Sequence, residues 1–261
     1  MQFDFNDKKV VVTGANRGIG LGIARAFLQA GASLTIVALE KDVTDVASAL
    51  SAEYQTPVAG FQCDIADLSQ VEALADRIGS HQSAIDVLVN NAGLELITPI
   101  EDESSDIDRI FREIILINVV GTFSVTRKLL SLIPDGGRIV STASMWGKTA
   151  VADFSGYCAS KHAVVGLTRS LAQELAPRGI AVNCVCPGWV RTEASLRSLR
   201  AMAEKTGRPE QDLLDEIVGA QAFGGLMEPS DIADIYLFLA SRAASNITGQ
   251  AYTIDRGELM Q

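Results

Sequence analysis

The stretch Lys9-Val10-Val11-Val12-Thr13-Gly14-Ala15-Asn16-Arg17-Gly18-Ile19-Gly20 decides the fold. Its unbroken β-branched run reads as a strand covered on both faces, the environment of a parallel sheet. It passes directly into three glycines spaced G-x-x-x-G-x-G and then into a helical pattern over Ile19–Ala30. That spacing departs from the G-x-G-x-x-G of dinucleotide-binding turns. The physical demand is the same: a tight turn, a backbone that a pyrophosphate can approach, and a helix N-terminus with oriented amides. A glycine-rich turn can be purely structural, but its place between first strand and first helix points to a nucleotide site. The candidate residues there are Gly14, Asn16, Arg17, Gly18, Ile19 and Gly20.

The same alternation continues to the end of the chain. Strand-like runs fall at Lys9–Thr13, Ser33–Ala38, Val58–Gln62, Ile85–Val89, Arg138–Ser141, Ile180–Val185 and Ala251–Ile254. Helical patterns fall at Ile19–Ala30, Val43–Glu53, Leu68–Gly79, Asp106–Leu132, Gly156–Ala176 and Ser230–Ala240. Repeated β-α-β units predict an α/β fold, a doubly wound, parallel, seven-stranded Rossmann-type sheet with helices on both faces. Residues 192–226 break the rhythm with two short helical patterns, Glu193–Glu204 and Glu210–Gln221. An insert there lies beyond the carboxyl ends of the strands, where such folds bind ligands. It reads as a small helical lid or as a docking element for another subunit.

With 261 residues and 48% apolar content, length alone permits one or two domains. No linker or charge block divides the sequence, so a single domain over 1–261 is expected. The net charge of −10 argues against a nucleic-acid or anionic-membrane partner and is no guide to a small-molecule substrate. Met1–Asp7 has no basic and apolar leader pattern, and no unbroken apolar run reaches the ~18–20 residues of a membrane span. The expectation is a cytoplasmic protein. Cys63, Cys158, Cys184 and Cys186 form no Cys-x-x-Cys pair, and His81 and His162 are the only histidines. Buried, reduced thiols and no metal site are expected.

Chemistry concentrates at Tyr157 and Lys161. A spacing of i, i+4 puts both on one helix face, and Ser144 lies thirteen residues upstream. An ammonium beside a phenol stabilises phenolate and draws its pKa below the usual value of about 10. Alone, such a pair is more often an ordinary surface contact. Asp64, after the third strand run, can accept an adenine amino group or cap a helix; Ile65 follows it. Asn90-Asn91-Ala92-Gly93, after the fourth, can lay its backbone against a ribose.

The set Thr13–Gly20, Asn90–Gly93, Asn118, Ser144, Tyr157-x-x-x-Lys161 and Pro187-Gly188 resembles the short-chain dehydrogenase/reductase family, in the expected order over nearly the whole chain. The resemblance implies hydride transfer between a nicotinamide cofactor and a secondary alcohol or ketone. Tyr157 would be the general acid or base, and Lys161 would tune it and bond the nicotinamide ribose. Ser144 would hold the substrate oxygen, and Asn118 would hold a water in a proton relay. The resemblance also places Asn90, Ala92, Gly93, Pro187, Gly188, Val190 and Thr192 against the cofactor. In the family, the acid of NAD users usually matches Ala38 and the arginine of NADP users commonly matches Leu39. Here Glu40 can reach the ribose and repel a phosphate, whereas Arg17 can attract one; NAD is favoured over NADP.

Residues flanking the catalytic set should form the substrate pocket: Glu95, Ser144, Met145, Trp146, Phe154, Trp189 and the insert. Cys186–Thr192 and the insert length look like those of 3-hydroxybutyrate dehydrogenases, but that subgroup has Gln, His and Lys where this chain has Glu95, Trp146 and Phe154. A carboxylate facing Glu95 without those cations would be repelled; Lys148 is a candidate replacement or simply an exposed lysine. A neutral alcohol, ketone, polyol or sugar-like substrate is expected. The rivals are a 3-oxoacyl-thioester reductase using NADPH, a 3-hydroxy acid dehydrogenase and a dinucleotide-sensing scaffold without turnover. The family also implies a homotetramer through the helices Asp106–Leu132 and Gly156–Ala176. Arg256 stands where the family usually has glycine, which puts the local turn in question.

Overall fold

In a computed structural model that describes residues 3–260, the valine run is strand β1 (Lys9–Thr13) near the middle of a seven-stranded sheet. The strand order is β3-β2-β1-β4-β5-β6-β7. The other strands are β2 (Ser33–Ala38), β3 (Val58–Gln62), β4 (Val87–Asn90), β5 (Arg138–Thr142), β6 (Ala181–Pro187) and β7 (Ala251–Ile254). Every neighbouring pair is parallel. The order reverses between β1 and β4, and the crevice outside their carboxyl ends is where such sheets bind ligands.

Alternate β1 side chains enter opposite layers, and all three valines are fully buried. Val10 and Val12 join the layer containing Ile23 and Phe27 of α1 (Gly18–Gln29), Leu50 of α2 (Val43–Tyr54) and Tyr236 of α9 (Ala233–Ala240). Val11 joins Leu74 and Ile78 of α3 (Leu68–His81), Leu129 of α5 (Thr122–Leu129) and Ala172 of α6 (Ser155–Leu175). A strand buried on both faces has no polar side to display, which is why the run shows no alternation.

The expected helix Asp106–Leu132 is not uniform. It comprises α4 (Ser105–Ile115), a π-helical turn (Leu116–Gly121), α5 and a 3-10 turn (Leu130–Leu132). The π turn carries Asn118, and such bulges often mark functional sites. By length and composition, Ser105–Leu132 could cross a membrane, with a mean hydropathy of 1.4 in its most apolar window. Charged and polar residues interrupt it, so it contains no unbroken apolar run of that length. Its inner face instead packs on α3 and α6, while Phe111, Leu116, Val120 and Phe123 are exposed.

The insert contains α7 (Glu193–Thr206) and α8 (Glu210–Gly219). Their Leu199, Ala203 and Leu213 pack with Met145, Trp146, Phe154, Cys158 and Trp189, so the insert closes over the carboxyl end of the sheet. The questioned turn also forms. Arg256 adopts a left-handed φ of 56°, and its guanidinium donates to the Gly224 carbonyl at 2.6 Å. Buried Asp255 accepts from the Gly257 and Leu259 amides. These bonds offset the strain that a glycine would avoid.

Candidate active site

Helix α6 delivers Tyr157 and Lys161 to the carboxyl edge of β5. Phe154 stands at its N-cap and cannot accept from the first turn. Thr98 does so from a neighbouring loop, its hydroxyl accepting from the Gly156 amide at 2.9 Å. One turn later Lys161 is 4% exposed. Its Nζ donates to the Thr142 carbonyl at 2.8 Å and lies 5.5 Å from the centroid of the Tyr157 ring. Thr142 is itself fixed, since its hydroxyl donates to Asn91 Oδ1 at 3.1 Å and lies 2.9 Å from the Tyr236 hydroxyl.

The expected depression of the Tyr157 pKa by Lys161 is not found. Burial, and then the nearby Glu95 carboxylate, hold the phenol well above its usual value, and a hydrogen bond with Ser144 draws it only partly back. Lys161 is pushed down to about 8, chiefly by burial, against the opposing pull of Glu95. Desolvation penalises both charged forms and is the largest cause of each shift. Tyr157 is therefore a phenol at neutral pH, set up to donate its proton.

Asn118 is 1% exposed and spends its side chain on protein partners. Its Oδ1 accepts from the Leu94 amide at 2.7 Å. Its Nδ2 donates to the Leu94 carbonyl and to Ser160 Oγ, both at 2.9 Å. The side chain thus pins the loop before Glu95 to α6. Gly93 belongs to the same junction: a Cβ there would lie 3.1 Å from Asn118 Oδ1 and 3.5 Å from Lys161 Nζ.

Thr142, Ser144 and Tyr157 open onto a cleft at the carboxyl end of the sheet. Glu95, Ser144, Trp146, Tyr157 and Trp189 line its substrate side, and Ile19, Pro187, Gly188, Val190 and Thr192 line the other. Sites that are far apart in sequence converge as expected. Phe154 does not: it is fully buried, absent from the lining, and packed 5.1 Å from the Trp146 ring. It belongs to the core behind the indole, not to the substrate surface. Lys148 is also no pocket cation, because its Nζ is bonded to Thr253 Oγ1 at 2.8 Å. Glu95 is half-buried and its pKa is raised by that burial, against stabilisation from Ser198, Lys161 and Arg197.

The cofactor residues form a cradle at the switch point. Gly14 has φ 63°, and a Cβ on it would meet the Ala92 Cα at 2.8 Å. Only glycine permits both that turn and that approach. The first turn of α1 has no side-chain cap and no acidic residue. By contrast, α3 and α7 are capped by Asp67 and Thr192. Unclaimed amides at a helix N-terminus suit a pyrophosphate, so the residues present fit a dinucleotide. Asp64 is not the cap of α3; it accepts from the Ala66 amide at 2.9 Å and remains at the crevice beside buried Ile65. The Asn90 side chain points away, donating to Thr126 Oγ1 at 2.9 Å. At the ribose end, Arg17 pairs with Glu40, and Asn16 donates to Glu40 and to Asp42.

Several working residues carried no separate signal. Asn91 locks the glycine turn by donating to the Thr13 and Gly14 carbonyls, both at 3.1 Å. Ser160 sat inside the Tyr-x-x-x-Lys motif, and Thr142 two positions before Ser144, so proximity could have flagged them. Ser198 and Tyr236 come from distant helices. The four cysteines are buried and free, and among the described residues no three metal-ligating side chains cluster.

Residues 14–258 match the family described as enoyl-(acyl carrier protein) reductase. The chain is 33% identical to the D-beta-hydroxybutyrate dehydrogenase of Cupriavidus necator, covering 98% of this chain and 99% of that one. It is 35% identical to the D-threitol dehydrogenase of Mycolicibacterium smegmatis, covering 98% and 95%. Among solved structures, the L-sorbose reductase of Gluconobacter frateurii, complexed with NADPH and L-sorbose, superposes with a TM-score of 0.88. It is 25% identical, with both chains covered completely.

Proposed function

The chain belongs to the short-chain dehydrogenase/reductase family, as an NAD(P)-dependent alcohol dehydrogenase or ketone reductase, and on that premise we propose a neutral polyol or sugar-like substrate and a preference for NAD. The observation that carries the substrate reading is the cavity itself: Glu95 and two indoles beside Ser144 and Tyr157, with no lysine or arginine among the described lining residues. A carboxylate substrate would be brought against the Glu95 carboxylate with no cation on the described pocket wall to offset the like charge. The relatives that act on threitol and sorbose, by their names, agree with this reading.

When bound, the nicotinamide supplies or accepts the hydride. The protein's own groups handle the oxygen and its proton. In reduction, the Tyr157 phenol donates to the carbonyl oxygen while Ser144 stabilises the negative charge developing there. In oxidation the same phenolic oxygen takes the proton back, and Lys161 supports the resulting charge. The Arg17–Glu40 pair supports NAD: it neutralises the cation that a 2′-phosphate would seek and keeps an acid near the ribose. We also assign the exposed apolar face of Phe111, Leu116, Val120 and Phe123 to contact between copies in a homotetramer. The deciding experiment is Tyr157→Phe, assayed with a panel of secondary alcohols and ketones and both cofactors. Hydride transfer should collapse while fluorescence-detected cofactor binding survives; normal turnover would sink the mechanism.

A further inference from the structure

Glu95 is held in place from two directions. Its preceding residue, Leu94, is bonded through both backbone groups by Asn118. Its own carbonyl accepts from Arg197 of the insert helix α7 at 3.1 Å. The next residue on that helix, Ser198, is 3% exposed and opposes the rise that burial gives the Glu95 pKa. A carboxylate fixed in this way is a preorganised acceptor and not a solvated surface group. Around it, Trp146 and Trp189 stand 5.7 Å apart and nearly perpendicular, offering apolar walls to the C–H faces of a small molecule.

We propose, building on the polyol reading above, that Glu95 is the specificity-determining residue of the pocket. It accepts hydrogen bonds from a hydroxyl on the carbon beside the reacting one, so the substrate class is vicinal diols and the matching α-hydroxy ketones. Oxidation takes the carbinol hydride to the nicotinamide and its hydroxyl proton to Tyr157; the neighbouring hydroxyl stays intact, bonded to Glu95. Hydroxy acids are excluded by charge. Ammonium substrates are disfavoured because two cations already stand by the site, Arg197 on the Glu95 carbonyl and buried Lys161 one turn from Tyr157. The Arg197 contact from α7 also means that the insert must lie closed for the acceptor to be in position.

Four C4 probes of one shape test this: butane-2,3-diol, butan-2-ol, 3-hydroxybutyrate and 3-aminobutan-2-ol. Each is assayed on the full chain with NAD and with NADP. The wild type should prefer the diol over butan-2-ol by about tenfold or more in kcat/KM, the span of one hydrogen bond to a charged acceptor. The acid and the amine should fall below butan-2-ol. In Glu95→Ala and Glu95→Gln the diol/butan-2-ol ratio should fall, mostly through KM. In the wild type the diol KM should rise as pH falls into the raised titration range of Glu95, and the butan-2-ol KM should not follow. A wild-type ratio near one, a ratio unmoved in both variants, or preference for the amine overturns the assignment. If either variant loses cofactor binding, the wild-type ratio and its pH profile still decide. If no probe and no simple ketone is turned over, the failure is that of the hydride-transfer reading itself.

Discussion

Replacing Asn118 with alanine separates a structural pin from a relay residue. The substitution deletes three hydrogen bonds of 2.7–2.9 Å from a side chain that is 1% exposed. Ser160 keeps a partner, because its hydroxyl also donates to the Tyr157 carbonyl at 2.8 Å. The Leu94 amide and carbonyl keep none in the protein, and Leu94 is only partly accessible to water. An orphaned buried group costs about 1–3 kcal/mol, so the two together should cost roughly 2–4 kcal/mol. For a chain of this size that is a fall of about 5–15 °C in Tm. Freed of its tether, Leu94 also loosens Glu95, so kcat/KM should fall along with stability. Thermal unfolding and steady-state kinetics on the same preparation check both. A double-mutant cycle with Ser160→Ala should show about 1 kcal/mol of coupling. Loss of kcat with an unchanged Tm would refute the pin and return the Asn118 side chain to a direct part in proton transfer.

Phe154→Ala empties a fully buried site and should cost about 3–5 kcal/mol in urea unfolding; because Trp146 loses its backing, KM should rise more than kcat falls, and a cost below about 1 kcal/mol would contradict the packing. Lys161 titrates at about 8 in the folded chain against 10.5 when exposed, so between these values the unfolded chain binds more protons. Its contribution therefore grows as pH rises through that window, by roughly 2–3 kcal/mol, and is lost as pH falls through about 8. Lys161→Met should remove that pH dependence when unfolding free energies of variant and wild type are compared from pH 8 to 10. Glu40→Ala leaves Arg17 with only a 3.9 Å contact to exposed Glu193, so the NADP/NAD ratio of kcat/KM should rise by about tenfold, the span of a charge-assisted contact; an unchanged ratio would place cofactor choice elsewhere.

The parts of this protein legible in sequence are those set by short-range rules. The valine run had to be a doubly covered strand, the glycine run had to make a tight turn between strand and helix, and Tyr157 and Lys161 had to share a helix face. Each follows from residues within a few positions of one another. What tertiary structure alone decided came from contacts across the chain. Phe154 went behind Trp146 because the insert and the Thr98 loop enclose it, a fact no local spacing carries. The helical run over residues 106–132 hid a π turn, since periodicity does not record where Asn118 finds Leu94 and Ser160. The sequence placed an ammonium one turn from Tyr157 and so implied a lowered phenol pKa. The fold buried both groups beside Glu95, and desolvation, which depends on everything packed around a charge, reversed the direction for Tyr157.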